Sequence, residues 1–233
     1  MAKVTDLLDR PVYGMAQVDW ILRLHLGTAR RWIDGYERRG IAYPPVVRLE
    51  PTGSEIVTWG EFCEARLLAE FRDLKGVPLQ RMRPAVERLR DLFGTQYPLA
   101  HARPWLDAAG KELVMQVQDE VGLEKKLLLV VVRNDQLVLT MPSENFVKAA
   151  EFDASGVVRR LRPVTELDDV WLDPVRQFGD PVVRSVPTEV IAEQVRAGDD
   201  PAHIAEMYEL SQAQVLQAIR YELIRGRDAK PAA

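Results

Sequence analysis

Asp173-Pro174, Gly179, Pro181-Val182-Val183, Pro187-Thr188, Ile191-Ala192, Ala197-Gly198, Ile204-Ala205, Tyr208, Leu210-Ser211, Val215, Ala218-Ile219 and Tyr221 punctuate the last third of the chain in an order that decides its fold. Pro187 and Thr188 predict a helix start as lead-in and N-cap, and Gly198 predicts its end about three turns later. Asp200-Pro201 starts a second helix, with proline at the first helical position, where a missing N–H costs nothing. Ser211 caps a third and longer helix. An extended stretch is thus followed by three helices with tight turns, and a short helix, turn and longer helix have helix-turn-helix geometry.

The opposite end carries a second such pattern. Met15 to Leu22 has helical character, with Val18, Ile21 and Leu22 on one side, and a turn follows at Arg23-Leu24-His25. From about Gly27 toward Tyr36, Ala29, Trp32, Ile33 and Tyr36 recur at helical spacing and make one buried stripe. Thr28, Arg30, Arg31 and Asp34 then project from the other faces. A helix that buries its aromatics and presents threonine and arginine outward suits insertion into a DNA major groove. Val46–Leu49 and Glu55–Val57 are short β-prone runs joined through Pro51-Thr52-Gly53-Ser54, a hairpin that would serve as a wing and bring Arg48 to a phosphate. Thr58 and Glu61 form a capping box for a helix reaching about Leu74. Pro78 opens another helix carrying Met82, Val86, Leu89 and Phe93, closed by Gly94.

Charge separates the two ends. Residues 10–48 hold seven arginines against three acids, and residues 164–210 three arginines against eleven acids. Such asymmetry suggests different partners for the two ends. The length of 233 residues fits two or three small domains better than one core. Their expected limits are 1–97, 98–163 and 164–233. The 47% hydrophobic and 28% charged content is that of a globular protein, with no apolar run near the roughly 18 residues that span a membrane. Asp6 and Asp9 interrupt any leader-like apolar stretch, and the lone Cys63 has no disulfide partner, so the expected compartment is the cytoplasm.

Between the ends, Leu113–Val117, Leu127–Val132, Leu137–Thr140 and Val157–Leu161 read as strands, with turns at Asn134-Asp135 and Asp153-Ala154-Ser155-Gly156. The expected fold class is α+β: a winged helix-turn-helix head, a small antiparallel middle and a trihelical tail. No glycine-rich phosphate loop, nucleophile elbow or metal-spaced His/Cys set is present. His25, His101 and His203 stand apart from any such set. Asp168, Asp169 and Asp173 could be imagined around a divalent metal, but Asp173 before Pro174 is turn chemistry, and linker acids are the plainer reading. No enzyme activity, cofactor or metal is expected.

Two family resemblances rest on these residues. The C-terminal pattern resembles the small trihelical antitoxin domain found beside PIN-like toxin genes in bacterial toxin–antitoxin pairs, although only Arg184, Ser185 and Val186 separate Val183 from Pro187, where those domains usually carry a longer Gly-Thr-Arg linker. Thr28-Ala29-Arg30-Arg31-Trp32-Ile33, Gly35-Tyr36, Gly40 and Thr58-Trp59-Gly60-Glu61-Phe62 resemble the DNA-binding head of MerR-like regulators. Together the chain resembles the antitoxin half of a VapBC-like pair. The resemblance implies a protein that sequesters a PIN-type ribonuclease toxin and represses its own operon. Thr28, Arg30 and Arg31 would then face operator DNA in a homodimer, with Arg48 on phosphate. Arg225, Arg227 and Lys230, expected on a flexible tail past the last helix, would reach the acidic toxin site. The alternatives are a MerR-like transcription factor whose middle senses a small molecule, and an enzyme using the three aspartates.

Overall fold

The computed structural model describes residues 6–71 and 78–228, the last two through their backbone only. The fold is α+β, with small antiparallel sheets among many helices. It divides into two compact units, residues 1–159 and 160–233.

The first unit opens with β1 (Pro11–Gly14), α1 (Met15–Ile21), α2 (Thr28–Ile33), β2 (Tyr36–Arg38), β3 (Ile41–Tyr43), β4 (Ile56–Thr58) and α3 (Trp59–Ala69). The expected pairing of Val46–Leu49 with Glu55–Val57 does not occur. β4 pairs instead with β1, Tyr13 opposite Val57 and Gly14 opposite Ile56. The backbone N–H groups of Val46 and Val47 both donate to Trp32 O, at 2.8 and 3.0 Å, so this run is spent on closing the end of α2.

The α3 helix is the hub of the unit. Every residue from Trp59 to Ala69 is buried, and its Thr58–Glu61 capping box is formed. The helix ends at Ala69 with Glu70 as its C-cap, short of the expected Leu74, which lies outside the described residues. An all-round buried helix is usually apolar, yet α3 carries Glu61, Glu64 and Arg66 inside, each ion-paired, with Arg48, Arg90 and Glu70. Next come α4 (Arg83–Phe93), closed by Gly94 at φ 64°, then α5 (Arg103–Leu106) and α6 (Ala108–Glu120). Gly110 is obligatory: a Cβ there would sit 1.9 Å from the carbonyl oxygen of Arg103, so only glycine lets α6 pack on α5.

Leu113–Val117, expected as a strand, lies inside α6. Its Val114 and Val117 are a buried helical pair, and short apolar runs do not distinguish the two periods. The hairpin of β5 (Val130–Arg133) and β6 (Gln136–Leu139) does form, around Asn134-Asp135 with both φ positive, the turn that matches strand twist. Gln118 of α6 fixes its base, accepting from the N–H groups of Leu129 (2.6 Å) and Val130 (3.0 Å). The unit ends in α7 (Met141–Ala149) and β7 (Ala150–Phe152), and β8 (Val158–Leu161) lies at the boundary. The β5–β6 hairpin is the small antiparallel sheet of residues 98–163, and through residue 159 these residues fall in the first compact unit.

The second unit contains β9 (Val170–Leu172), β10 (Pro181–Val183), β11 (Val186–Pro187), α8 (Thr188–Ala197), α9 (Pro201–Met207) and α10 (Gln212–Asp228). The short linker after Val183 is a tight reversal, with Val183 opposite Val186 and Arg184 at φ 56°. The helices then close on Val170, Val183, Ile191, Ile204, Val215, Ala218 and Tyr221. Asp200 caps α9 through Ala202 N (3.1 Å), and Ser211 exchanges bonds with Gln214 at the head of α10. Thr188 is no cap: it is buried as the first residue of α8, and its hydroxyl donates to Glu222 on α10. Among the described residues no helix is long and apolar enough to cross a membrane.

Burial pushes the Glu64 carboxyl up to about 7, against the opposing pull of Arg90. A folded-state value above the unfolded one means that the folded chain holds the extra proton. Glu64's own contribution to stability is therefore fully present below about pH 4.5 and is lost as pH rises to about 7, a change on the order of 3 kcal/mol. Urea denaturation across this window should show the decline, and Glu64→Gln should flatten it; an unchanged slope in the variant would assign it elsewhere.

Candidate nucleic-acid interface

Two short helices cannot hold a recognition geometry by propensity alone, because isolated helices of this length are unstable in water. A buried carboxylate does it. Asp19 on α1 accepts from Gly27 N and Ala29 N, both at 2.6 Å, and so caps α2 from the neighbouring helix. Gly27 itself, the local N-cap, offers no side chain. The turn is closed by Leu24 N donating to Asp19 O at 2.7 Å, with Arg23 in the left-handed region at φ 56°. Nothing in the helical spacing of α1 marks Asp19. Its signal is the glycine at the cap position, which leaves the first N–H groups of α2 to find a distant acceptor.

Ala29, Trp32 and Ile33 are buried, as their spacing predicted, but α2 ends at Ile33, and Tyr36, expected as the last member of the stripe, is half-buried in β2. Thr28 and Arg30 are half-buried and Arg31 is exposed. Arg31 is steered along its own helix, donating to Gly27 O (3.1 Å) and Thr28 Oγ1 (3.0 Å), whereas Arg30 pairs with Glu55.

Arg48 is not at a wing. Its side chain is only 6% exposed, so it cannot reach a phosphate. Its guanidinium donates to Asp34 Oδ1 (2.6 Å), Glu61 Oε1 (2.7 Å) and Oε2 (3.2 Å), Thr52 Oγ1 (2.7 Å), Ser54 O (3.2 Å) and Ile56 O (2.7 Å). Burial opposes its charge, but the bonds to Glu61 and Asp34 outweigh that and hold its pKa above the ordinary value. Asp34 lies below the usual carboxylate range: burial raises it, and the donors Thr52 N, Arg48 and Gly53 N more than offset this.

The wing is the β2–β3 hairpin, directly after α2. Tyr36 and Tyr43 stack at its base at 4.6 Å, and Arg39 and Gly40 turn it with φ 54° and 74°. Arg38 and Arg39 are exposed at its tip. The sequence signal was a two-residue X-Gly turn between Tyr36-Glu37-Arg38 and Ile41-Ala42-Tyr43.

The other candidates are dispersed. Asp168 pairs with Arg162 (2.9 Å), Asp169 accepts from Gln214 (3.1 Å) and Gln217 (2.9 Å), and Asp173 accepts from Val175 N (3.0 Å). Each carboxylate is thus engaged separately. Arg225 is not on a tail but inside α10, where its Nη1 donates to both oxygens of Glu222, at 2.9 and 3.0 Å. Arg227 also lies in α10, and Lys230 lies outside the described residues. A single glycine such as Gly226 costs a helix about 1 kcal/mol, which is too little to end it. His101 bonds Thr95 Oγ1 (3.1 Å) beside a cleft of about 220 Å³ lined also by Phe93, Arg103 and Ser155, and burial lowers its pKa.

The fold and this site define a winged helix-turn-helix head followed by a small sheet-and-three-helix unit. Residues 170–221, within that second unit, match the family described as protein of unknown function (DUF433). The chain is 39% identical over 229 residues to the uncharacterized protein Rv2308 of Mycobacterium tuberculosis, spanning 94% of this chain and 92% of that one, and it belongs to the family of that protein. The X-ray crystal structure of Rv2018 from Mycobacterium tuberculosis is similar over 92% of this chain and 100% of its own, with a TM-score of 0.73 and 26% identity.

Removing Arg48 would leave Asp34 and Glu61 buried without their cation. Arg48→Met should cost about 3–5 kcal/mol in urea unfolding. Asp19→Ala, which strands two N–H groups of α2, should cost about 1–2 kcal/mol. A loss below about 0.5 kcal/mol in either variant would contradict these roles.

Proposed function

We propose that this protein is the antitoxin of a VapBC-like pair, whose head binds operator DNA and whose C-terminal unit holds a PIN-type ribonuclease. The observation that carries the reading is the head itself: a helix clamped by Asp19, with Thr28 and Arg31 accessible and Arg38 and Arg39 at the adjoining wing. Residues 10–48, where these groups lie, carry seven arginines against three acids. Exposed arginines beside a presented helix are suited to phosphate contacts that set register while the helix faces base edges. The acid-rich C-terminal unit would be repelled by nucleic acid, which suits it to a protein partner instead. One recognition helix reads few base pairs, so the active form is a homodimer on paired half-sites.

DNA fragments from upstream of the gene test the head. The Arg30→Ala/Arg31→Ala double variant should lose operator retention with nearly unchanged thermal stability. Arg38→Ala/Arg39→Ala should lower the salt slope of binding by about 0.9 for each phosphate that is no longer neutralised. Retention of operator by the first pair at moderate salt would refute the DNA assignment. Co-purification with the product of the adjacent open reading frame, followed by a ribonuclease assay, tests the antitoxin assignment; a partner that is no nuclease, or that stays active in the complex, would refute it.

A further inference from the structure

We propose that β6 is the surface through which two copies of this chain join: its outer edge pairs antiparallel with β6 of a second copy, with Val138 at the two-fold axis. A homodimer on paired half-sites needs such a surface, and this edge supplies one whatever the head binds.

β5 and β6 form a two-stranded sheet, with no further strand beside either one among the described residues. A lone hairpin is marginal in water, and each of its strands leaves a row of N–H and C=O groups outside the ladder. The register decides which groups those are. Arg133 lies opposite Gln136 across the two-residue turn, and residues flanking such a turn exchange both hydrogen bonds. Bonded pairs then alternate: Val131 and Val138 are bonded, whereas Val132, Leu137, Val130 and Leu139 point their backbone groups outward. On β5 this row is closed at Val130, whose N–H donates to Gln118 Oε1 (3.0 Å) and whose carbonyl accepts from Gln118 Nε2 (3.0 Å). On β6 it is open. Neither Leu137 nor Leu139 makes a backbone bond on that side among the described residues.

The open edge also lacks the devices that keep edge strands apart. Natural edges are blunted by charge, proline or a bulge. Gln136-Leu137-Val138-Leu139-Thr140 has no charge and no proline, and the register with β5 is unbroken. Leu137, Val138 and Leu139 are only half-buried. Val132, opposite Leu137, is 58% exposed, and Met141, just past the strand, is 74% exposed.

The strand that fits this edge is its own copy. With Val138 opposite Val138 of the partner subunit, Leu137 N donates to the carbonyl of Leu139 of the partner subunit, and Leu139 N to that of Leu137 of the partner subunit, with the reverse bonds by symmetry. Leucine then meets leucine on one face, while on the other valine meets valine and Gln136 meets Thr140 of the partner subunit. A foreign strand would have to match these positions, whereas a second copy matches them by symmetry. Nucleic acid finds no cation on this strand. The charges beyond it are balanced at each end: Arg133 and Asp135 at the hairpin tip, and Glu144 paired with Lys148 (2.7 Å) past the base. Antiparallel order, which sets tip against base, therefore brings no net like charge together. Lys125 and Lys126 precede β5, the strand away from this edge.

Sedimentation of the full-length chain between about 1 and 100 µM should show a monomer–dimer equilibrium, since an interface this short holds only at micromolar concentration. Val138→Lys and Val138→Glu each set like charges against one another on the axis and should sediment as monomers. An equimolar mixture of the two should re-form the dimer. Leu137→Pro, which removes an outward N–H and spares the ladder to β5, should weaken association by about tenfold or more. Val138→Cys should cross-link on mild oxidation, because the axial pair lies within disulfide reach, whereas the buried Cys63 stays out. A dimer that persists in Val138→Lys overturns this surface and leaves the operator reading standing. Folded Lys and Glu variants that stay apart when mixed overturn it as well. If either charged variant loses its Tm, the Val138→Cys cross-link decides, and its failure overturns the proposal. A wild-type monomer at about 100 µM overturns both this surface and the homodimer, while operator retention by the same sample is judged separately.

Discussion

Arg48 ties together three pieces of chain that are far apart in sequence. Its guanidinium joins Asp34 at the end of α2, the 52–56 loop and Glu61 at the start of α3. Glu61 simultaneously closes the capping box by accepting from Thr58 N at 2.8 Å, and Asp34 accepts from Thr52 N and Gly53 N. One buried cation thereby fixes the exit of the presented helix, the return of the chain and the first turn of the central helix. Buried charges are tolerable only when paired and fully hydrogen-bonded. Here that condition locks geometry: a shift of α2 against α3 would strand a carboxylate.

A second carboxylate performs the matching task at the other end of α2. Asp19 binds the first N–H groups of the helix while Asp34 leaves its last turn, so six residues are held at both ends by acids that are themselves buried. This relieves the surface of structural duty. Thr28 and Arg31 bond along their own helix, and the wing arginines are exposed. The C-terminal unit is built differently, around apolar packing and local caps, with its charges left largely outside. The division between an arginine-rich head and an acid-rich tail thus parallels two modes of construction.

Much of this was legible. Capping chemistry at Thr58–Glu61, Asp200-Pro201 and Ser211, the turn at Asn134-Asp135, and the buried stripe of α2 all depend on neighbours within a few residues, and the folded chain keeps them. Leu113–Val117 failed because a buried helix and a buried strand look alike over five residues. The expected wing failed for a different reason. Val46–Leu49 is β-prone, but its N–H groups were claimed by Trp32 O, and β4 found β1 some forty residues upstream.

The sequence by itself determined the starts of α3, α9 and α10, the turn between β5 and β6, and how charge is shared between the two ends, because these follow from local hydrogen-bond supply and composition. Only the tertiary structure decided what each arginine is for. Arg31, Arg38, Arg48 and Arg225 are chemically the same residue, yet one lies along a presented helix, one tips a wing, one is sealed beneath the site and one is paired within a helix. A guanidinium's role is set by which acceptors surround it, and those acceptors are brought together from distant positions only when the chain has folded.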